Sequence, residues 1–490
     1  MSSTHRLASF VPFATFVITS FAAATAGAQP TTPSPTPPPV AAVEPGATPP
    51  TTPAEPTTTA PADADAAAAP VATSAVATSA AIDPAIIAAI VDERLAQQPS
   101  ITWKDGFNLA TKDNAFKLKI GGYTHFDGRY FVSDDAEQNA DTFAFRRIRP
   151  ELAGTLLDRA EFRILPDFAG SRVVVQDAYV EVKAAAPLKL RFGKFKEPLG
   201  LERLQSATAL LFVERGLPTA LAPNRDLGIQ LAGAVAAERV SYQLGVFNGV
   251  ADGASGDGDA SDDKELVARV FLTPFAPTKG HVLENLGLGG AVSYGDKHGT
   301  TAATDLPAIK SSGQATFFQY RTGATAAETA LADGNHWRVT GQAHVYSGRF
   351  GALAEYIHSS QDVALGDAVT EVSSDAWQLA LNAVVFGGSA SFKGTAPTET
   401  FAPKDGNWGA FEVAARYNEL RVGEEAFTFA ADPAKSASLA RSFGLGANWI
   451  LGRSLRFVAN FERTSFEGGA AMSLNRPTEN AILGRVQTVF

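Results

Sequence analysis

The chain has 490 residues, 45% of them apolar and 19% charged, with no Cys and only 2 Met. Mean hydropathy is −0.01, which excludes a bundle of membrane helices, each needing an apolar run of about 20 residues. The missing Cys excludes a disulfide scaffold, a thiolate nucleophile and a Cys-ligated metal. A net charge of −10 argues against a general nucleic-acid binder, which needs a basic face. Length alone suggests about three domains of roughly 150 residues, a rule that large β-barrels break.

Residues 1–28 have the pattern of a secretory signal. Arg6 precedes an apolar stretch from Leu7 to about Phe21, and Ala26-Gly27-Ala28 supplies the small residues of a cleavage site. Residues 29–82 are rich in Pro, Thr and Ala and lack the large apolar side chains that offset ordering entropy, so they are expected to be a disordered spacer. Within 83–98, Asp83 and Pro84 suit a helix start, and Ile86, Ile87, Ile90, Val91 and Leu95 share one face. About four turns are marginal alone. This short amphipathic periplasmic helix is either a self-associating stub or a transient one.

From residue 101 to 490 the apolar period becomes two. At 454–466, Leu455, Phe457, Ala459 and Phe461 alternate with Arg456, Asn460, Glu462 and Thr464. Such alternation puts one face of a strand in water and the other in an apolar medium. Sixteen strands are predicted: 115–132, 142–157, 160–168, 172–184, 187–195, 225–237, 239–250, 264–273, 285–297, 335–347, 349–361, 372–386, 409–421, 439–451, 454–466 and 480–490. The apolar stretches 313–322 and 389–394 are assigned to loops.

The links between strands alternate in length. Asp158-Arg159, Ala185-Ala186, Glu238, Gly348 and Gly452-Arg453 are tight, and 196–224, 251–263, 298–334, 362–371 and 467–479 are long. Short turns on one side and long loops on the other are the habit of outer-membrane barrels. Links 274–284 and 387–408 break the pattern. No fixed repeat of 40–50 residues supports a propeller, and a closed sheet of sixteen strands is too wide for side chains to fill. The polar face therefore lines water and the apolar face meets outer-membrane lipid. The predicted fold is all-β, a 16-stranded antiparallel transmembrane barrel with a water-filled pore. Phe490 ends the chain on the outward face of the last strand, in keeping with an interfacial aromatic.

Four segments resemble the phosphate-selective porin O and P family. Phe145-Arg146-Arg147-Ile148-Arg149 is similar to its Phe-Arg-Arg-x-Arg on the second strand, and Arg191-Phe192-Gly193-Lys194-Phe195-Lys196-Glu197-Pro198 to the segment entering its third loop, where Phe212-Val213-Glu214-Arg215 follows. Gly409 to Tyr417 and Leu445 to Trp449 resemble two of its later strands. The resemblance implies a homotrimer of pores, each narrowed by an inward-folded third loop, in the outer membrane of a Gram-negative bacterium. Phosphate-specific members carry an Arg after the Gly of the first strand. Here Gly121-Gly122-Tyr123 occupies that region, although Asp127 of the pattern is kept.

A pore needs a constriction whose charges favour the permeant without trapping it. Arg146, Arg147, Lys194 and Lys196 are the leading candidates to line the pore and bind anions. Lys117, Lys119, Arg129, Arg163, Lys189, Arg191 and Arg416 support them from polar faces. Planar guanidinium groups suit oxyanions because their fork donates two hydrogen bonds. The competing role is wall rigidity through ion pairs such as Arg149 with Glu151 or Arg416 with Glu412. Phe143 and Phe145 share parity with Arg147 and Arg149, so strict alternation would send Arg147 into lipid at a cost of roughly 2–4 kcal/mol. A bulge there would turn it inward, and a place at the rim or a subunit interface would spare the cost.

Residues 101–490 hold 39 Lys and Arg against 44 Asp and Glu, which tempers an anion preference to a weak one. Asp252, Asp257, Asp259, Asp262 and Asp263 cluster in one loop, either solvated or binding Ca²⁺ weakly. No cofactor or nucleic-acid partner is called for. The alternatives are an outer-membrane barrel hydrolase, for which the scattered His residues offer no recognisable motif, and a tether in which residues 29–98 join the outer membrane to a periplasmic layer.

Overall fold

The computed structural model describes residues 99–490 apart from 104, 133–139, 186 and 259–260. The expectations for the signal, the spacer and the helix at 83–98 lie outside the described residues. Sixteen antiparallel strands close into one barrel: β1 (Lys117–Phe131), β2 (Thr142–Leu156), β3 (Ala160–Asp167), β4 (Val174–Ala185), β5 (Leu188–Phe195), β6 (Asp226–Val235), β7 (Val240–Phe247), β8 (Glu265–Leu272), β9 (Gly287–His298), β10 (Leu331–Ser347), β11 (Phe350–Leu365), β12 (Ala368–Phe386), β13 (Ala410–Val422), β14 (Ala437–Ile450), β15 (Leu455–Gly468) and β16 (Glu479–Val489). All sixteen predicted strands are present. Closure is the pairing of β16 with β1, from Ala481 opposite Phe131 to Val489 opposite Tyr123.

Closure explains the glycine pair on β1. Gly122 donates its N–H to the Phe490 carbonyl at 2.8 Å, and Phe490 N–H returns a bond to Gly122 at 3.0 Å. A Cβ on Gly122 would meet the Arg149 carbonyl at 2.6 Å and the Phe490 ring at 3.0 Å; one on Gly121 would meet the Phe490 carbonyl at 2.8 Å. The C-terminus needs that space. Where β16 stops, a hairpin of Ser100–Trp103 and Phe107–Ala110 takes over its place and pairs with Lys117 to Ile120 of β1. Asp127 forms two bonds to Arg485 across the same seam, at 2.7 and 2.6 Å.

The outer wall is apolar between two bands of rings. Trp377 and Tyr417 touch at 5.2 Å in the upper band. Phe386 with Phe411, at 5.9 Å, and Trp449 with Phe457, at 6.2 Å, form the lower one. Nine residues separate Trp377 from Phe386, about 23 Å along the normal for a strand tilted near 40°, close to the apolar band of about 25 Å in outer-membrane barrels.

Tight turns and both ends of the barrel chain share one side. The link 362–371, expected to be a long loop, is instead the end of a hairpin in which Leu365 pairs with Ala368 and Gly366 turns at φ +61. Alternation fades there because β11 and β12 rise past the apolar band, where both faces meet polar or protein surroundings. Their tips pack with loop hairpin Ala308–Lys310/Thr316–Gln319 and with loop 423–436. Ile309, Phe317, Phe318, Val363, Val372 and Ala426 share one buried cluster. The 313–322 stretch thus carries a strand, Thr316–Gln319, but one outside the barrel, whereas 389–394 is a loop as expected, with only Ser389 in a short Gly388–Ser389/Ala396–Pro397 pairing.

Candidate constriction site

The third outer loop, 196–225 (L3), crosses the lumen from β5 to the far wall, β10–β16. Irregular backbone at membrane depth must have its polar groups satisfied, and the far wall does this with side chains. Val213 N–H donates to Asn460 Oδ1 at 2.6 Å, and Leu217 N–H to Asn418 Oδ1 at 3.1 Å. Asn448 donates to the Leu211 carbonyl at 3.0 Å, Arg416 to that of Glu214 at 3.0 Å, and Arg456 to that of Leu210 at 2.8 Å. Glu355 accepts the N–H groups of Leu201 and Glu202 at the start of the loop's short helix. L3 is therefore sewn across the pore.

Above this loop lies a cavity of about 550 Å³. Its cationic lining is Arg146, Arg147 and Arg149 of β2, Lys196, Arg203, Arg215 and Arg225 of L3, and Lys310 of the fifth outer loop; its acids are Asp167, Glu214 and Asp252. The β2 trio reaches the lumen through a β-bulge. Phe145 pairs with Phe126 and Arg147 with His125, so Arg146 is the extra residue. Phe143 is 80% exposed on the outer face, yet the bulge turns Arg146, Arg147 and Arg149 all inward. The parity conflict in the sequence is resolved by that one residue.

Five of the lining cations, Arg147, Lys196, Arg203, Arg215 and the exposed Lys310, lack a carboxylate in ion-pair contact among the described residues. Arg147 reaches only His125 Nδ1, at 3.1 Å. Lys196 donates to the carbonyls of Leu204 at 3.3 Å and Gln205 at 2.8 Å. Arg203 donates to those of Thr219 and Ala222, and Arg215 to those of Glu202 at 3.0 Å and Gln205 at 2.8 Å. Carbonyls orient these groups without cancelling their charge. Burial, followed by the crowding of Arg215 and Arg225, pulls the Arg203 guanidinium down to about 9. Lys196 is pushed well below the usual lysine range by burial and then by Arg215 and Arg225. The same repulsion favours any anion that enters.

Three lining cations are paired. Arg146 meets Glu214 at 2.7 Å, Arg149 meets Asp167 at 2.7 Å, and Arg225 meets Asp177 at 2.9 Å. Burial would raise the Glu214 carboxyl, but Arg146, with Arg147 and Arg485, outweighs it and holds it at about 2.

Of the residues singled out from sequence, the cavity brings together Arg146, Arg147 and Lys196. The rest lie elsewhere. Lys194 is buried against Asp257. Arg129 stands 3.6 Å from Glu214, and Arg163 bridges Glu151 at 2.8 Å and Asp177 at 3.1 Å. Lys119 meets Glu151 at 3.3 Å, and Arg191 pairs with Glu181 at 2.6 Å while stacking 4.4 Å over Tyr179. Lys189 is 3.9 Å from Glu181. Lys117 is exposed at the tight-turn end of β1. Arg416 is buried beneath L3, 2.8 Å from Glu462 and 4.2 Å over Phe212. Arg149 and Arg416 thus have partners other than the neighbours on their own strands, since pairing across strands and to L3 offers better reach.

Arg203 and Arg225 were not singled out; isolated basic residues in a loop carry no signal until the loop is known to fold inward. The acidic loop is dispersed: Asp252 goes to Arg338 at 2.6 Å, Asp257 to Lys194, and Asp263 to His298 at 2.7 Å. Among the described residues no group of three or more such side chains is arranged to hold a metal.

Residues 116–490 match the family described as phosphate-selective porin O and P. Porin O of Pseudomonas aeruginosa is 25% identical over 396 residues, 74% of this chain and 86% of that protein. The outer membrane channel DcaP of Acinetobacter baumannii shares the fold, with TM-score 0.51 at 11% identity over 79% of this chain and 99% of its own. OmpT, an outer membrane protein of Vibrio cholerae, aligns with TM-score 0.49 at 12% identity over 80% and 100%. With a closed barrel, a loop sewn across its lumen and a family match over most of its length, the chain belongs to the phosphate-selective porin O and P family and is an outer-membrane porin of a Gram-negative bacterium.

Proposed function

We propose that this porin passes small anions in preference to cations, and that the cations around L3 set the preference. One observation carries the reading: Arg147, Lys196, Arg203 and Arg215 line the cavity with their charge uncancelled by any carboxylate in contact. A fixed positive potential in a narrow water-filled passage concentrates anions and repels cations. Arg146 belongs to the same lining, with part of its charge spent on Glu214. The route is passive, and the chain acts as a channel rather than an enzyme.

The working unit is a homotrimer in outer-membrane lipid. Phe126, Phe143 and Phe145 support this, since their contacting rings stand exposed on the outer wall of β1 and β2, where a second copy would cover them. Residues 1–28 serve export, and 29–98 act as a periplasmic spacer and helix. The test of selectivity is the zero-current potential of the protein in a planar bilayer across a KCl gradient. Its sign should report chloride preference; a potassium-preferring channel would refute the reading.

A further inference from the structure

The cavity above L3 is not polar all round. Its outer-loop lining includes Ala220 of L3, Ala254 of the fourth loop, and Leu306 and Pro307 of the fifth, with Val174 at the start of β4, beside the polar Lys310, Ser311 and Gln314 of the fifth loop. Each of the apolar residues among them is partly accessible. Ala220 and Leu306 rest against the buried cluster that ties the outer loops together, so the apolar surface has a firm backing. The cations come from β2 and from the rest of L3, with the exposed Lys310 on the same loop as Leu306 and Pro307. Two kinds of lining therefore meet in one space of about 550 Å³, within the range of small-molecule sites.

For a bare inorganic anion the apolar side is a disadvantage. Such an ion sheds hydration water on entering and finds nothing there to replace it. For an anion with a hydrocarbon body the same surface is favourable, because burying that body removes apolar area from water. We propose that the preferred permeants are small carboxylates with an apolar body, the carboxylate facing the uncancelled cations and the body lying on the Ala220, Ala254, Leu306 and Pro307 side. The proposal rests on the anion reading above and extends it to a substrate class.

Block of the KCl current in planar bilayers, using the full-length porin, tests it. Acetate, hexanoate, benzoate and inorganic phosphate are added singly at one pH. Hexanoate and benzoate should halve the chloride current at about one-tenth of the acetate concentration, and below the concentration at which phosphate does so. Leu306→Gln should narrow the hexanoate-to-acetate gap to less than about threefold while the sign of the zero-current potential stays anionic. Ala220→Asn, which keeps the loop core's largest side chains, should do the same and covers the case in which Leu306→Gln does not assemble. Equal block by acetate and hexanoate in an anion-preferring wild type would overturn the apolar-side claim and leave the anion reading standing, as would tighter block by phosphate. A cation-preferring wild type would remove the reading beneath it instead.

Discussion

The far wall of the lumen and the loop that crosses it use the same residue type for opposite ends. On the far wall, Arg338, Arg416 and Arg456 are buried and each meets a carboxylate: Arg338 faces Asp252 and Glu265, Arg416 faces Glu462, and Arg456 faces Glu412. On the loop, Arg203, Arg215 and Lys196 are held by backbone carbonyls alone. A cation paired with an acid fastens the structure and contributes little field. A cation oriented by carbonyls keeps its field for whatever passes. The comparison teaches that a count of basic residues says little about selectivity until their partners are known.

Breaking a far-wall pair should have the largest effect on the fold. Arg338→Ala leaves Asp252 and Glu265 buried without their shared partner, at a cost of about 3–5 kcal/mol. The barrel should lose its native gel mobility at a markedly lower temperature than the wild type. Retention of the wild-type transition would mean that the far-wall pairs do not fasten the lumen.

A pH titration sharpens the loop side of the comparison with a smaller effect. Burial and the crowding of Arg215 and Arg225 lower the Lys196 pKa well below its ordinary 10.5. The ammonium is charged below its lowered pKa and neutral above it, so anion preference should fall as pH rises through that value, before an ordinary lysine would titrate. Lys196→Met should start from a weaker preference and show a smaller alkaline step, Arg203 beside it being lowered to about 9. A wild-type zero-current potential that stays flat up to 10.5 would show that Lys196 contributes no field at the constriction.

The smallest effect should come from Arg191, basic and lumen-side but paired with Glu181 and partly exposed. Arg191→Ala should cost no more than about 1 kcal/mol and leave the zero-current potential within error of the wild type. A large change in selectivity would mean that pairing does not silence a wall cation, and the distinction between wall and loop cations would fall.

Much of the barrel could be read from alternation, because lipid outside and water inside impose a period of two on every strand. Where that contrast ends, the pattern no longer marks a strand. The tips of β11 and β12 pack against loop hairpins, and so 362–371 reads as a loop although Leu365 and Ala368 are paired. The N-terminal hairpin at Ser100–Trp103 and Phe107–Ala110 is too short to show a pattern. The site was legible in part. Arg146 and Arg147 stand out as a basic run, but the bulge that points both inward is a property of pairing with His125 and Phe126. Arg203 and Arg215 owe their place to Asn418, Asn460 and Arg456, far along the chain, which draw L3 across the pore.

The proposed preference for anions stands or falls with the carbonyl-held guanidinium groups of L3. Comparing the zero-current potential of Arg203→Ala/Arg215→Ala with that of the wild type in the same KCl gradient tests it most directly. The wild type should prefer chloride, and the double variant should assemble and conduct with that preference largely lost. An assembled double variant with the wild-type potential would contradict it.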